Sequence, residues 1–386
     1  METILAHKKA QAIGTVFTLF SLLIFYSVSY GNSGAIQTMA ESEYAVFLDM
    51  AVALTKANYE NISTWQGEIS IQEDDYLYGG KWGHLLQIDP NDPAFHSNSI
   101  RRSISASGKF AVDIQDNKLF TERIPTVKFK ALDLDRDVVV KAKYSSIISI
   151  VTSDKYLSYK PNHRYGYDKK INGKWSGRAA FRYPVENVKG EQWGNVRDPR
   201  GYFLADNKKT VWEELRALCN FITNPPPDIP AGKALQISMA TEDIGDHTKT
   251  HIKVGAYGSP ECTNCETEFV YIITTLDSSV GLNLTRREVT DRNGKTLKTL
   301  DITYEKIGNV YVPKTVHFVI FDYPEQRKHF DSLITFTKSI LNVPIPEETF
   351  NYKNLDLKDG DAFIDKIENK KYWYKAATKT LEQVGN

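Results

Sequence analysis

The sequence predicts an α+β protein that is rich in β-strands, with one helix followed by an antiparallel sheet. Three observations lead to this fold class: a segment of helical periodicity near the N-terminus, many later segments in which apolar and polar residues alternate, and Asn-Gly pairs where hairpins would turn. Short connections between the later segments favour antiparallel pairing, because parallel strands need long crossovers.

The first helix is predicted over residues 40–58. Thr38 and Glu41 have the spacing of a capping box, in which a hydroxyl lies three residues before a carboxylate. A second helix is predicted around Trp212, where Cys219 falls on the apolar face, so we expect this thiol to be buried and inert. The apolar face of the first helix is formed by Tyr44, Phe47, Leu48, Ala51 and Leu54.

Strands are predicted to begin after the first helix, where Trp65, Ile69 and Ile71 alternate with polar neighbours. Hairpin turns are expected at Asn172-Gly173 and Asn293-Gly294, because both residue types tolerate positive φ. The remaining strands are predicted at residues 109–114, 137–152, 233–239, 251–256, 268–276, 282–291, 296–306, 310–321 and 333–341.

Three stretches depart from the strand pattern. Residues 74–106 combine glycines, prolines and scattered charges, so we expect a long inserted loop. Residues 160–232 are expected to form a second insertion, which holds the helix around Trp212 and ends near three consecutive prolines that favour an extended connector. Residues 369–386 are expected to be a polar tail, so the predicted β-rich domain covers residues 32–368.

The N-terminus has the pattern of an export signal. Lys8 and Lys9 precede an apolar run over residues 13–30, and small residues at its end, around Ser29, suit a signal peptidase. The prediction is a signal peptide at residues 1–31; the alternative is an uncleaved membrane anchor, because eighteen residues just span a bilayer. In both cases the folded part is expected outside the cytoplasm, in the periplasm or cell envelope.

Cys262 and Cys265 form a Cys-x-x-Cys motif in a polar stretch between two strand-like segments. A zinc site would need a second pair of ligands at suitable spacing, and a thioredoxin-like site would need a helix opening at the motif. The motif therefore predicts a small disulfide at a loop tip in an oxidising compartment.

Composition and motifs exclude several function classes. The 48 Lys and Arg balance 48 Asp and Glu, whereas a nucleic-acid-binding protein normally carries a basic surplus. The sequence contains no hydrolase, nucleotide-binding or zinc-protease motif, so we expect no catalytic residue, no cofactor and no metal site. His247 and His251 are four residues apart, but they lie in a predicted turn and strand, which disfavours a metal pair.

A further set of features occurs in a recognisable order along the chain: the helix at 40–58, Trp65-Gln66-Gly67, and the segments 150–156, 198–200, 269–277, 281–284, 288–294, 304–305, 310–313, 342–350 and 357–361. This order resembles that of secreted proteins with the LolA/LolB-like lipoprotein-carrier fold, especially large uncharacterised relatives of the planctomycete type. The resemblance implies an antiparallel sheet curled into an incomplete barrel, with helices covering its concave side.

The resemblance implies a non-enzymatic, carrier-like function: an exported envelope protein that binds a lipid or an acylated, amphiphilic ligand in the half-barrel. The expected partners are a lipid or lipoprotein acyl chain or an envelope protein, with transient or anchored membrane contact and no nucleic acid. The alternatives are a protein-interaction or sensor module with a filled cavity, or an unrecognised hydrolase. No ligand-binding residue is assigned, because no motif position fixes one.

Overall fold

The computed structural model describes residues 36–80, 82–140, 146–160, 178–184, 211–224, 236–257, 269–322 and 325–384. The helices are α1 Glu41–Glu60, α2 Trp82–Leu85 and α3 Val211–Thr223. The strands are β1 Ile36–Thr38, β2 Thr64–Tyr78, β3 Ser99–Asp113, β4 Lys118–Ala131, β5 Arg136–Val138, β6 Ile147–Val151, β7 Lys155–Tyr159, β8 Ala179–Pro184, β9 Gln236–Ile244, β10 His247–Tyr257, β11 Phe269–Asp277, β12 Asn283–Asp291, β13 Thr296–Ile307, β14 Val310–Phe321, β15 Lys328–Leu341, β16 Ala362–Asp365, β17 Lys370–Lys375 and β18 Thr380–Gln383.

These strands belong to one large sheet with the order β1-β9-β10-β11-β12-β13-β14-β15-β2-β3-β4-β6-β7-β8-β16-β17-β18. The short strand β5 pairs with the end of β4. Neighbours are antiparallel except β8 and β16, which run parallel. Within the described ranges no pairing joins β1 to β18, so the sheet is curled but unclosed. The predicted fold class, a β-rich α+β protein with a curled antiparallel sheet, is confirmed.

Alternation along β2 shows which of its residues face the concave side of the sheet. Trp65, Ile69 and Ile71 are buried and pack with α1, whereas their neighbours along the strand face outward. The Trp65 ring stacks on Phe336 of β15 at 5.1 Å and meets the edge of Phe110 of β3 at 5.2 Å. Three adjacent strands are thereby held together by one aromatic cluster at the centre of the concave face.

Five irregularities in the ladder accompany the curl of the sheet. Register shifts occur between β11 and β12, β12 and β13, β13 and β14, β14 and β15, and β15 and β2. Each bulge bends its strand and increases the local twist. At the last of them Gly67 has no room for a side chain, because a Cβ there would lie 1.9 Å from the carbonyl oxygen of Lys338.

Helices α1 and α3 cover the concave side, as the resemblance implied. Tyr44, Leu48, Ala51 and Val52 of α1 are buried against the sheet. The predicted capping box is wrong, because Thr38 lies in β1 and Ala40 is the N-cap residue. The backbone N–H of Ala40 instead donates to the Glu43 carboxylate at 3.1 Å.

The Asn293-Gly294 turn is confirmed, with Gly294 at a φ of 79° between β12 and β13. The loop expected over residues 74–106 is wrong at both ends, because β2 extends to Tyr78 and β3 begins at Ser99. The connection that remains contains α2 and the short 3-10 helix Pro93–His96. Of residues 160–232, the structure describes β8 and α3; the Asn172-Gly173 pair lies outside the described residues.

The polar tail expected at residues 369–386 is also wrong, because β17 and β18 form a hairpin there that extends the sheet. Asn369 supplies the positive φ that the preceding turn needs. Tyr374 is buried with Phe363 in a second apolar cluster on the outer face, which contains Ile150 and Tyr159. Tyr374 thus packs this otherwise polar segment against the outer face of the sheet.

None of the helices in the described ranges has the length and apolar character needed to cross a bilayer.

Ending the chain after Glu368 removes β17 and β18. We expect the free energy of unfolding to fall by about 2–4 kcal/mol, because Tyr374 is lost from the outer cluster and Phe363 becomes exposed. Urea denaturation followed by tryptophan fluorescence measures this change. A chain that ends after Val384 is the matched control and should match the full chain. Equal stability of the two truncated proteins would contradict the structural role of the hairpin.

Candidate functional site

The concave face of the curled sheet is the candidate site, and its two halves differ. In the helix-covered half, side chains of the sheet and of α1 and α3 pack into one core. In the far half, which continues along the same strands, inner-face apolar residues are half-buried and are interrupted by charged residues. The first half holds the helices in place, and the second half leaves apolar surface that a ligand could contact.

Helix α1 is fixed in place by hydrogen bonds as well as by apolar contacts. Asn58 donates through Nδ2 to the carbonyl oxygen of Tyr311, and Asn58 Oδ1 accepts from the Tyr311 backbone N–H, each at 2.8 Å. Tyr59 donates its hydroxyl to Asn283 Oδ1 at 3.2 Å. These bonds join the last turn of α1 to β14 and β12, so the helix has one fixed register on the sheet.

Two phenols at the contact between α1 and the sheet, Tyr59 and Tyr304, remain protonated. Burial, and secondarily the neighbouring Tyr304, raise the pKa of Tyr59 well above its ordinary value. Burial also raises the pKa of Tyr304, which donates its hydroxyl to the Leu284 carbonyl at 2.8 Å. Both groups therefore act as neutral hydrogen-bond donors in this core.

Helix α3 is held over the concave face by a stacked ring and an ion pair. Trp212 stacks on Tyr59 of α1 with ring centroids 5.2 Å apart. Glu214 accepts from Arg287 of β12 at 2.5 Å, and Arg287 is buried. Cys219 is buried and free, as predicted, and burial followed by the adjacent Asp49 raises the pKa of its thiol. A thiol with a raised pKa is a poor nucleophile, so Cys219 is a packing residue.

The far half of the concave face is apolar on both flanks. On one flank, Phe318 of β14 and Phe330 of β15 are half-buried, with ring centroids 6.2 Å apart. On the other flank, Ile104 of β3 and Val127 of β4 are aligned neighbours and are also half-buried. These side chains present apolar surface that the helices do not fully cover.

Four charged residues and one serine cross the middle of this half, and we call them the polar belt: Glu73, Asp75, Arg102, Arg123 and Ser332. Glu73 is 5% exposed and accepts from Arg123 at 2.8 Å and from Ser332 at 3.3 Å. Arg102 donates to Asp75 at 2.6 Å. The pairing of the strands places all five on the same face of the sheet as Ile71 and Ile334, which is the inner face.

Arg123 reaches Glu73 by crossing β3. Its aligned neighbour on β3 is Gly108, whereas Glu73 is aligned with Ile104, so the arginine side chain runs obliquely over the intervening strand. Gly108 and Ala106 are the small inner-face residues along that path. The belt thus depends on a stretch of β3 that has little side-chain volume.

A separate cleft of about 440 Å³ opens at the rim of the sheet, where α1 ends. Ile307 and Leu341 contribute its apolar wall, and the β13–β14 turn forms one edge. The Asn342 side chain is already bonded to Ser63 and Asn61. The cleft is consequently lined by groups that serve the structure, and we place the candidate site in the far half of the concave face instead.

The remaining sites considered from the sequence show no assembled chemistry. Cys262 and Cys265 lie outside the described residues. His247 and His251 are both on β10, but each faces its own acid: His247 contacts Asp246 at 3.1 Å, and His251 contacts Glu242 at 3.3 Å. In the described part of the chain, no group of three or more His, Cys, Asp or Glu is placed to hold a metal ion.

Comparisons with known proteins give remote structural neighbours only. No family model matches the chain, and no curated protein matches it. The chain is similar to a LolA superfamily protein from Nitrosomonas europaea, at 10% identity and a TM-score of 0.33 over 79% of this chain and 99% of that one. It is also similar to a putative outer membrane lipoprotein-sorting protein domain from Vibrio parahaemolyticus, at 8% identity and 0.29 over 80% and 99%.

Similarity at this level carries no argument about function. The functional argument rests on the concave face itself.

Sequence reasoning assigned no ligand-binding residue and missed the polar belt, although β2 carries a signal for it. Glu73 and Asp75 continue the inner-face positions of Ile69 and Ile71, so two acids occupy places where the alternation calls for apolar residues. Charged residues at inner positions of a strand are uncommon unless they are paired. Their arginine partners are distant in sequence and become visible only through the pairing of the strands.

A double-mutant cycle tests the pairing within the belt. Glu73→Gln and Arg123→Met should each lower the free energy of unfolding by about 3 kcal/mol, because each leaves a buried charge without its partner. The double variant should lose less than the sum, with a coupling of about 1–3 kcal/mol. The exposed outer-face pair Arg286 and Asp301, 2.9 Å apart, is the control and should show a coupling below about 1 kcal/mol. Additive losses at Glu73 and Arg123 would refute the pairing.

Proposed function

We propose that this protein is an exported, non-enzymatic binding protein of the cell envelope that holds an acyl-chain amphiphile on the concave face of its sheet. One observation carries the proposal: beyond the helices, the concave face presents half-buried Phe318, Phe330 and Ile104 next to a buried polar belt. An apolar concave surface that adjoins a few fixed polar groups suits an amphiphile, whose two ends have the same two characters.

The energetics of such binding come from the chain of the ligand. Each methylene transferred from water to an apolar surface gains roughly 0.8 kcal/mol, so a chain of a dozen carbons supplies enough to offset the cost of association. A curled sheet provides an inner face of the required length and width. Binding of this kind depends on apolar contact and requires no sequence motif.

The envelope location rests on the N-terminal pattern of residues 1–31, a positive region followed by an apolar run that ends in small residues. Export would bring the chain to the compartment where acylated proteins and lipids are sorted, either as a cleaved protein or held by an uncleaved anchor. The disulfide proposed for Cys262 and Cys265 suits the same compartment.

A second candidate is a protein-interaction or sensor module. The helix-covered half of the concave face favours it, because there the inner residues pack directly against α1 and α3 and leave the sheet well filled. In that case an envelope protein would dock on the outside of the domain and the far half would hold no ligand.

Native mass spectrometry of the exported protein, followed by organic extraction and lipid analysis, separates the two candidates. The amphiphile proposal predicts a stoichiometric acyl-chain species, or uptake of an added fatty acid by the apo protein. A clean apo mass with no uptake would contradict it and leave the interaction module as the better account.

Two aromatic variants locate the binding surface. Phe318→Ala and Phe330→Ala should each weaken binding of a fluorescent fatty acid about tenfold, because each removes most of one apolar contact surface. His317→Ala is the matched control: it lies beside Phe318 on the same strand but on the outer face, where it contacts Asp331 at 2.8 Å. Equal losses for His317 and Phe318 variants would move the site away from the concave face.

A further inference from the structure

Two arginines on the concave face each have a buried Nε–H group for which the described part of the chain provides no hydrogen-bond acceptor. Nε of Arg102 and Nε of Arg123 are both buried without a hydrogen-bond partner, although each arginine is paired through an Nη2 atom. A buried N–H without an acceptor costs free energy, so each such group in a native protein calls for an explanation. An oxygen acceptor brought by a ligand to each guanidinium group is one such explanation.

The position of these donors matches the polar end of a bound amphiphile. Along β2 the inner face is apolar at Ile69 and Ile71, charged at Glu73 and Asp75, and apolar again at Leu77, which packs into the cluster around α2. The belt is therefore a charged band between two apolar regions. A head group in the band would leave its chain in contact with apolar surface.

The alignment of strands brings the aromatic flank to the same level. Phe330 is aligned with Asp75, and Phe318 is aligned with Ser332, which in turn is aligned with Glu73. The rings that the proposed function assigns to the chain are thus the immediate neighbours of the belt. Head and chain would be bound side by side on adjoining strands.

We infer that Arg102 and Arg123 bind the anionic oxygen-bearing head group, a carboxylate or a phosphate, of a single-chain amphiphile whose chain lies against Phe318 and Phe330. This inference rests on the proposed function and specifies the ligand class of the same site. Guanidinium groups suit the role because their planar donors match the paired oxygens of carboxylates and phosphates.

The acids of the belt set the strength of that interaction. Glu73 and Asp75 neutralise the two arginines in the free protein, so an incoming anion competes with them for the guanidinium donors. Removing the charge of Asp75 should therefore strengthen anion binding, and a variant that merely damages the fold would not do so.

The experiment measures displacement of a fluorescent fatty acid from the purified protein by three compounds of equal chain length: palmitate, hexadecyl phosphate and methyl palmitate. At least one anion should bind about tenfold more tightly than the neutral ester. The Arg102→Gln and Arg123→Gln variants should lose this preference, and Asp75→Asn should increase it several-fold. Whichever anion binds more tightly identifies the head group.

Arg101→Gln is the matched control. Arg101 is the adjacent residue on the outer face; its Nε lies 4.0 Å from the Asp74 carboxylate and is likewise buried without a hydrogen-bond partner. The inference predicts that this variant keeps the preference of the unaltered protein. An equal loss for Arg101→Gln and Arg102→Gln would overturn it.

The failures of the two proposals are distinguishable. If none of the three compounds displaces the probe and the probe itself does not bind, the proposed function fails. If the anions and the neutral ester bind equally well, the function stands and the head-group assignment is overturned. Should Arg123→Gln fail to fold, Arg102→Gln and Asp75→Asn decide the question, because they leave the Glu73–Arg123 pair intact.

Discussion

The seating of α1 on the inner face of the curled sheet is the constraint on which the rest of this structure depends. A curled sheet exposes an inner apolar face that its own side chains do not fill, so another element must cover it. Asn58 fixes that element by bonding both backbone groups of Tyr311, and Tyr59 then supplies the ring on which Trp212 of α3 stacks. Once both helices are in place, one half of the concave face is core and the other half is left as the candidate site.

The polar belt is hard to explain by stability alone. Pairing two charges inside a protein roughly offsets the cost of removing them from water, and apolar residues of similar size often serve stability as well or better. Here the pair Glu73–Arg123 lies between apolar clusters that could have merged into one core. The free-energy cost of this interruption has a purpose if the belt orients a ligand, since a few fixed polar groups determine the direction in which an amphiphile binds.

Much of the fold was predictable because it follows local rules. A few neighbouring residues are enough to predict the helical period of α1, the alternation along β2 and the Asn293-Gly294 turn. Strand β4 was missed because Arg123 and other charges interrupt its alternation, and the interruption has its cause in a partner fifty residues earlier. The parallel pairing of β8 with β16 likewise joins segments far apart in sequence. The two flanks of the candidate site likewise come from segments far apart in the chain, β3–β4 and β14–β15, so the acids of β2 signal the belt but not what surrounds it.

The central claim is that a ligand chain lies on the concave face, and photo-crosslinking tests it most directly. A fatty acid with a diazirine near the middle of its chain would be bound, irradiated and located by peptide mass spectrometry. The account predicts labels on the β14–β15 hairpin at Phe318 or Phe330 and on β3 at Ile104, competed away by unlabelled fatty acid. Labels confined to outer-face residues such as His317, or labelling that competitor does not reduce, would contradict it.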